Sequence, residues 1–167
     1  SSTASHTLTV NPLPVAGTLS GLASVCVGST IILASTAGGG AWSASNSCAT
    51  VSGGVVTGVT AGIDTISYSV TNMCGTTTVA HIIGVDPVPT AYMVTGGGNY
   101  CAGGAGMHIG LMYGHSGISY QLYNAGLPVG SSVAGAGSSI DFGLVTTAGT
   151  YTVVGTDAVT GCIGNMS

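Results

Sequence analysis

His6-Thr7-Leu8-Thr9-Val10-Asn11-Pro12-Leu13-Pro14 aligns without a gap on His81-Ile82-Ile83-Gly84-Val85-Asp86-Pro87-Val88-Pro89. Both copies place apolar residues on alternate positions, Leu8 and Val10 in one and Ile83 and Val85 in the other. That is the period of a strand with one buried face, and the prolines that follow end it. In the second copy the strand closes a stretch of domain size. In the first copy there is no domain before it to close, and the residues leading to Ser167 stop one strand short of a comparable domain. A strand without a domain and a domain without a strand are the parts of a subunit that joins head to tail. The pattern therefore predicts a strand at 1–11 that completes a neighbouring domain, a first domain at 12–86, and a second domain at 87–167 lacking its last strand.

Working outward, the rest of the chain reads as all-β. Ile66, Tyr68 and Val70 alternate with Thr65, Ser67, Ser69 and Thr71, the mark of a half-buried strand. Short Thr/Val/Ile/Tyr runs are divided by Gly-rich turns at Gly38-Gly39-Gly40, Gly53-Gly54 and Gly96-Gly97-Gly98, and no stretch has an amphipathic helical period with caps. Each domain repeats one order of parts: an early cysteine, a turn-rich middle, a Tyr-centred strand and a late cysteine.

Charge removes whole classes of function. The 167 residues include 30 Gly and no Lys or Arg, and the net charge is −4. Binding to nucleic acid or to anionic lipid needs a cationic footprint, so neither is expected as a partner. Apolar residues make up 45% of the chain, yet no run approaches the ~20 needed to span a bilayer. The chain reads as a processed or internal segment of a secreted protein, extracellular or at a cell surface.

The cysteines follow the repeated order. Cys26 and Cys101 are early, Cys74 and Cys162 late, and the expected bridges are Cys26–Cys74 and Cys101–Cys162. Each would close a loop of about 50 to 60 residues and contribute ~4 kcal/mol by the chain-entropy argument. Cys48 is left over, as a small apolar side chain in a strand or as a thiol for an intersubunit bond. No two cysteines form a short chelating pair, which argues against a metal.

The string Gly40-Ala41-Trp42-Ser43-Ala44-Ser45-Asn46, followed by Ala49-Thr50-Val51-Ser52, Gly54-Val55-Val56-Thr57-Gly58-Val59-Thr60-Ala61-Gly62 and Thr65-Ile66-Ser67-Tyr68, resembles the bacterial Ig-like domains of group 2. Such domains recur in tandem in secreted and surface proteins of the Bacteroidota type, with Val-Asn-Pro-Leu-Pro linkers. The resemblance covers residues 15 to 89. A weaker one in the second domain runs through Tyr92 to Cys101, Gly117 to Asn124 and Gly149 to Val154. It implies two Ig-like β-sandwiches in tandem, spacer or adhesive roles, and no shared catalytic residues. Trp42 would then pack in the core beside the Cys26–Cys74 bridge.

No catalytic constellation emerges. Asp64, Asp86, Asp141 and Asp157 are dispersed and sit where an Asp caps a turn. There is no Gly-x-Ser-x-Gly elbow, and the glycine runs lack the helix and Lys of a phosphate loop. His6 and His81 occupy equivalent strand positions, and His108 and His115 flank one strand, so neither pair reads as metal ligands. Of Tyr120 and Tyr123, one should face outward, and with Tyr113 they could hold a sugar or a subunit. Thr65, within Asp64-Thr65-Ile66, and Asn165, within Asn165-Met166-Ser167, fit short glycosylation patterns.

The sequence reading is a non-enzymatic structural subunit of an extracellular filament, without cofactor or metal. Its partners are identical subunits, and His6, Leu8 and Val10 form the assembly strand. Two alternatives stand beside it: one period of a covalently continuous adhesin stalk, and a module that binds glycans.

Overall fold

The computed structural model describes residues 3–167, and every regular element among them is a strand. The chain folds as two compact units, one ending at Asp86 and one running from Pro87 to Ser167. The multi-sheet architecture is consistent with a β-sandwich.

The first unit contains β1 (Leu19–Ser20), β2 (Ser24–Cys26), β3 (Thr30–Ile32), β4 (Ala34–Ser35), β5 (Ala41–Ala44), β6 (Ala49–Ser52), β7 (Val55–Gly58), β8 (Gly62–Asn72) and β9 (Gly75–Asp86). One sheet has the order β2-β9-β8-β5, a second β3-β7-β6, and β1 pairs with β4. Pairing is antiparallel except for β2, which runs parallel to β9 with Ser24 opposite Gly84 and Cys26 opposite Asp86. The alternation of β8 and β9 explains their geometry. Ile66, Ile83 and Val85 turn inward and meet Ile31, Leu33, Ala49 and Val56 from the opposing elements in one core, and Tyr68 is buried on the same face of β8 as Ile66. Asn72 ends β8 by accepting the Cys74 amide at 2.8 Å, and the hairpin closes with Asn72 opposite Gly75. Trp42 packs against this core and on the Tyr68 ring, with centroids 4.8 Å apart. Tyr68 Oη donates to Ala37 O at 2.9 Å and accepts from Gly40 N at 2.7 Å. A Cβ on Gly40 would lie 2.5 Å from the Tyr68 ring, so this close approach requires glycine.

The second unit contains β10 (Val94–Gly96), β11 (Met107–Gly114), β12 (Ile118–Asn124), β13 (Leu127–Ala134), β14 (Ser138–Val145), β15 (Tyr151–Asp157) and β16 (Ile163–Asn165). They form the sheets β10-β11-β14 and β13-β12-β15-β16. Ile109, Leu111 and Ile140 from the first sheet meet Ile118, Tyr120, Leu122 and Val153 from the second, with Met166 beside them. The β12–β13 hairpin turns at Ala125 (φ 51) and Gly126 (φ 80), a two-residue loop of the twist that such hairpins favour.

The cysteines depart from expectation. Cys26 and Cys162 are disulfide-bonded, whereas Cys48, Cys74 and Cys101 are free thiols. The expected bridges Cys26–Cys74 and Cys101–Cys162 are therefore absent, for a reason of length. Cys26 lies beside the Asp86 end of β9 and Cys74 adjoins the Gly75 end. At ~3.3 Å per residue these ends are about 35 Å apart, against the ~7 Å between Cα atoms that a disulfide tolerates. Cys101 follows Tyr100, whose hydroxyl donates to Thr146 O near the start of β15, whereas Cys162 O accepts from Asp157 N at its far end. Trp42 thus packs in the core without the bridge expected beside it.

Candidate assembly site

The site has two parts, an arm and an edge. The arm is the segment before Leu19. Residues 3–18 carry no strand pairing, and Leu8 and Val10 are 90% and 84% exposed. Exposed apolar side chains on alternate positions are what an unpaired strand of one buried face presents. The first two residues of the expected 1–11 strand lie outside the described residues. The root of the arm is held at the β8–β9 hairpin. Asn72 Nδ2 donates to Pro12 O at 2.9 Å, Asn11 Nδ2 reaches Met73 Sδ at 3.3 Å, and Cys74 Sγ donates to Asn11 O at 3.1 Å.

The edge belongs to the second unit. β16 pairs with β15 over three residues, Thr156 opposite Ile163 to Val154 opposite Asn165. One more bond, from Met166 N to Val153 O at 2.9 Å, extends the ladder. Ser167 then bonds to the other sheet: its N donates to Tyr92 O at 3.0 Å and its O accepts from Val94 N at 2.6 Å. Successive backbone groups thus reach β15 and β10 in turn, as in a strand that closes the gap between two sheets. Beyond this point, Tyr151 and Thr152 have no strand on that side among the described residues. A cavity of about 360 Å³ opens there, lined by Gly97, Gly98 and Asn99 after β10, Met107 and Ile109 of β11, Val145, and Gly149 and Tyr151 at the start of β15.

A register follows from comparing the units. Ala148-Gly149 just before β15 repeats Ala61-Gly62 at the start of β8, and Gly62 and Gly149 share φ 155. By the same offset Val153 corresponds to Ile66 and Tyr151 to Asp64. In the first unit Ile66, Asp64 and Gly62 face His81, Ile83 and Val85. In the second, Val153 is met by Met166, so Met166 takes the place of His81. The places of Ile83 and Val85, opposite Tyr151 and Gly149, are the open ones. In the duplicated string the counterparts of Ile83 and Val85 are Leu8 and Val10.

The remaining candidates are dispersed. His6 is exposed on the arm, and His81 is half-buried opposite Ile66. His108 Nδ1 lies 2.8 Å from Asp141 Oδ2 on the open face of β11 and β14. His115 Nδ1 contacts Ser116 O at 2.9 Å. No group of three or more His, Cys, Asp or Glu gathers among the described residues. Tyr120 is buried, its hydroxyl accepting from His115 N at 2.9 Å, and burial raises its pKa. Tyr123 is half-buried, while Tyr113 is exposed and stacks on Tyr92 at 5.1 Å. Thr65 is half-buried in the middle of its sheet, and Asn165 is exposed on β16. Cys48 is half-buried against the first core.

Asp64 is only 1% exposed. Oδ1 accepts from Ser45 N at 2.9 Å, Ser45 Oγ at 2.8 Å and Thr65 N at 2.7 Å, and Oδ2 from Ala49 N at 3.0 Å. Burial pushes this carboxyl up, but the Ser45 hydroxyl and the Ala49, Ser45 and Thr65 amides outweigh it and hold the pKa below 3.8. Its role is to fasten the Ser45–Ala49 turn to β8. The sequence reading did not find the cleft residues Gly97, Gly98, Gly149 and Tyr151. The signal that finds them is the Ala-Gly repeated at the start of β8 and just before β15.

No protein-family model matches the chain, and comparison with curated proteins gives no match.

Proposed function

We propose that this protein is a structural subunit of an extracellular filament, built of two Ig-like sandwiches and joined head to tail by strand donation. Residues 6–11 of one copy enter the cleft of the next copy's second unit, with Leu8 opposite Tyr151 and Val10 opposite Gly149. The observation that carries this reading is the register match. The open positions on β15 call for the very residues that the duplicated arm holds exposed. Main-chain groups of the entering strand pair with β15 and β10, and its apolar side chains fill the cavity. The donor lies in the arm and the acceptor in the second unit, so the contact is heterologous and repeats head to tail. A surface without Lys or Arg lacks the charges that keep exposed strands apart. For the Ig-like assignment, support comes from the facing sheets β2-β9-β8-β5 and β3-β7-β6 and from the early strand β2 lying parallel to the last strand β9.

Deleting residues 1–11 tests the proposal. Filament growth, followed by electron microscopy and sedimentation, is expected to stop, and a free peptide of residues 1–12 should occupy the cleft without restoring growth. Normal polymerisation of the truncated chain refutes strand donation. Dissolved filaments should run as 16.0 kDa bands on a reducing denaturing gel, whereas a covalently continuous stalk would give a very large one.

A further inference from the structure

We infer that Cys74 of one copy and Cys101 of the next form a disulfide across the strand junction. The inference rests on the strand-donation reading and adds a covalent lock to it. Both residues are exposed free thiols, while Cys26 and Cys162 are disulfide-bonded. The repeated order pairs them in kind. Cys26 and Cys101 are the early cysteines of the two units, Cys74 and Cys162 the late ones, so the free thiols are one of each kind.

Geometry brings them to one place. Cys74 Sγ contacts Asn11 O, at the point where the arm leaves its own first unit. In the first unit the counterpart of Asn11 is Asp86, which lies opposite Cys26 in the parallel β2–β9 pairing. In the second unit the place of Cys26 is taken by Gly97, four residues before Cys101. An arm seated in that register therefore carries Asn11, with Cys74 against it, to the Cys101 turn. The bonds of Ser167 to Tyr92 and Val94 set a parallel register that, with Leu8 following Ser167, places Asn11 beside Gly97, just before Asn99, Tyr100 and Cys101. The Cys101 turn is a free-standing loop closed by the Gly104 N to Cys101 O bond at 2.9 Å. It can thus adjust to the narrow distance that a disulfide requires.

The oxidant is a low-molecular-weight disulfide. The Cys74 thiolate attacks one of its sulfurs and displaces a thiolate, leaving a mixed disulfide on Cys74. The Cys101 thiolate of the neighbouring copy then attacks Cys74 Sγ and expels the second small thiolate. Two protein thiols are oxidised, one small disulfide is reduced to two thiols, and the protons lost by the cysteines end on those thiols.

The experiment assembles the full chain in reducing buffer, checks growth by electron microscopy, and then adds oxidised glutathione before a non-reducing denaturing gel. The wild type should give a ladder of multiples of 16.0 kDa. Cys74→Ser and Cys101→Ser should each assemble yet run as monomer. An equal mixture of the two variants should stop at the dimer, because each chain then offers one thiol to one junction. Mapping by chymotrypsin, since the chain has no site for trypsin, should recover the Cys74 and Cys101 peptides joined. Filaments without a ladder, or a ladder that persists in either variant, overturn the lock and leave strand donation standing. Absence of filaments before oxidation overturns both.

Discussion

The two units face the same problem, how to cover one edge of a central strand, and meet it differently. In the first, β9 covers β8 over its whole length, from Asn72 opposite Gly75 to Gly62 opposite Val85. In the second, β16 covers only Val154 to Thr156 of β15, and a cavity stands where Ile83 and Val85 have no counterpart. The cores are otherwise alike, apolar side chains from facing sheets with few polar groups. The difference teaches that a core built of two sheets tolerates an open edge when the remaining strands hold it together. On the proposed reading that edge is a specific receptor, because register there would be set by backbone and cavity together.

The most severe way to break this comparison is to charge the arm. Leu8→Asp with Val10→Asp places two carboxylates where the cavity offers them no partner, a cost of several kcal/mol. Assembly should be abolished while the melting of the first unit, which β9 closes, stays unchanged. Hydrogen exchange sharpens the contrast: the Tyr151 amide should exchange quickly in the free subunit and slowly in filaments, while the Thr152 amide, which faces β12, and the β8 amides are protected in both. Equal protection of the Tyr151 edge in both states would remove the open edge.

Asp64 marks the second contrast, since its counterpart in the second unit is Tyr151. Asp64→Ala strips acceptors from the Ser45, Ala49 and Thr65 amides and should destabilise the first unit by about 3 kcal/mol in urea titration. Asp64→Asn should cost less, because the amide retains one acceptor. The folded pKa is held below 3.8, so the wild type's stabilisation is fully present above that value and is lost as pH falls through the lowered one. The part of the acid limb that Asp64 supplies should be missing in Asp64→Asn. A glycine contrast is smaller. Gly62→Ala and Gly149→Ala force the same φ of 155 on a side chain and should each cost about 1–2 kcal/mol, in their own unit only. A substitution that costs nothing in its own unit would weaken the equivalence from which the register of the arm is read.

What the sequence made legible follows from which physics is local. Strand alternation at Ile66 and Tyr68 depends only on the pleat, and both are buried as the pattern demands. The cysteine pairing was illegible, because order along the chain says nothing about which end of a long strand a residue occupies. Cys26 and Cys74 are similar in sequence context to a bonded pair, yet they sit at opposite ends of β9. Asp157 does cap a turn, accepting from Val159 N at 2.8 Å and Thr160 N at 2.9 Å, whereas Asp64 and Asp141 lie within β8 and β14. The near-complete burial of Asp64 was not readable, since it depends on the turn folding over β8. The cleft was hidden for a similar reason: its glycines look like any turn until Gly149 is superposed on Gly62.

The smallest effect belongs to the outer face of the second unit. His108 and Asp141 lie 2.8 Å apart on neighbouring strands, but their side chains are 62% and 59% exposed. The His108 hydrogen bond, with the Gly143 amide, holds the Asp141 pKa below 3.8. Any stabilisation from the pair is thus present above that value and lost below it. Water and salt screen a pair this exposed, and ordering two side chains offsets the attraction. Asp141→Asn should therefore leave thermal melting at neutral pH unchanged within error and leave filament growth intact. The contrast with Asp64 isolates burial as the variable, since both carboxylates accept multiple hydrogen bonds and both have lowered pKa values. A marked loss of assembly in Asp141→Asn would place this face, rather than the β15 edge, at the subunit junction.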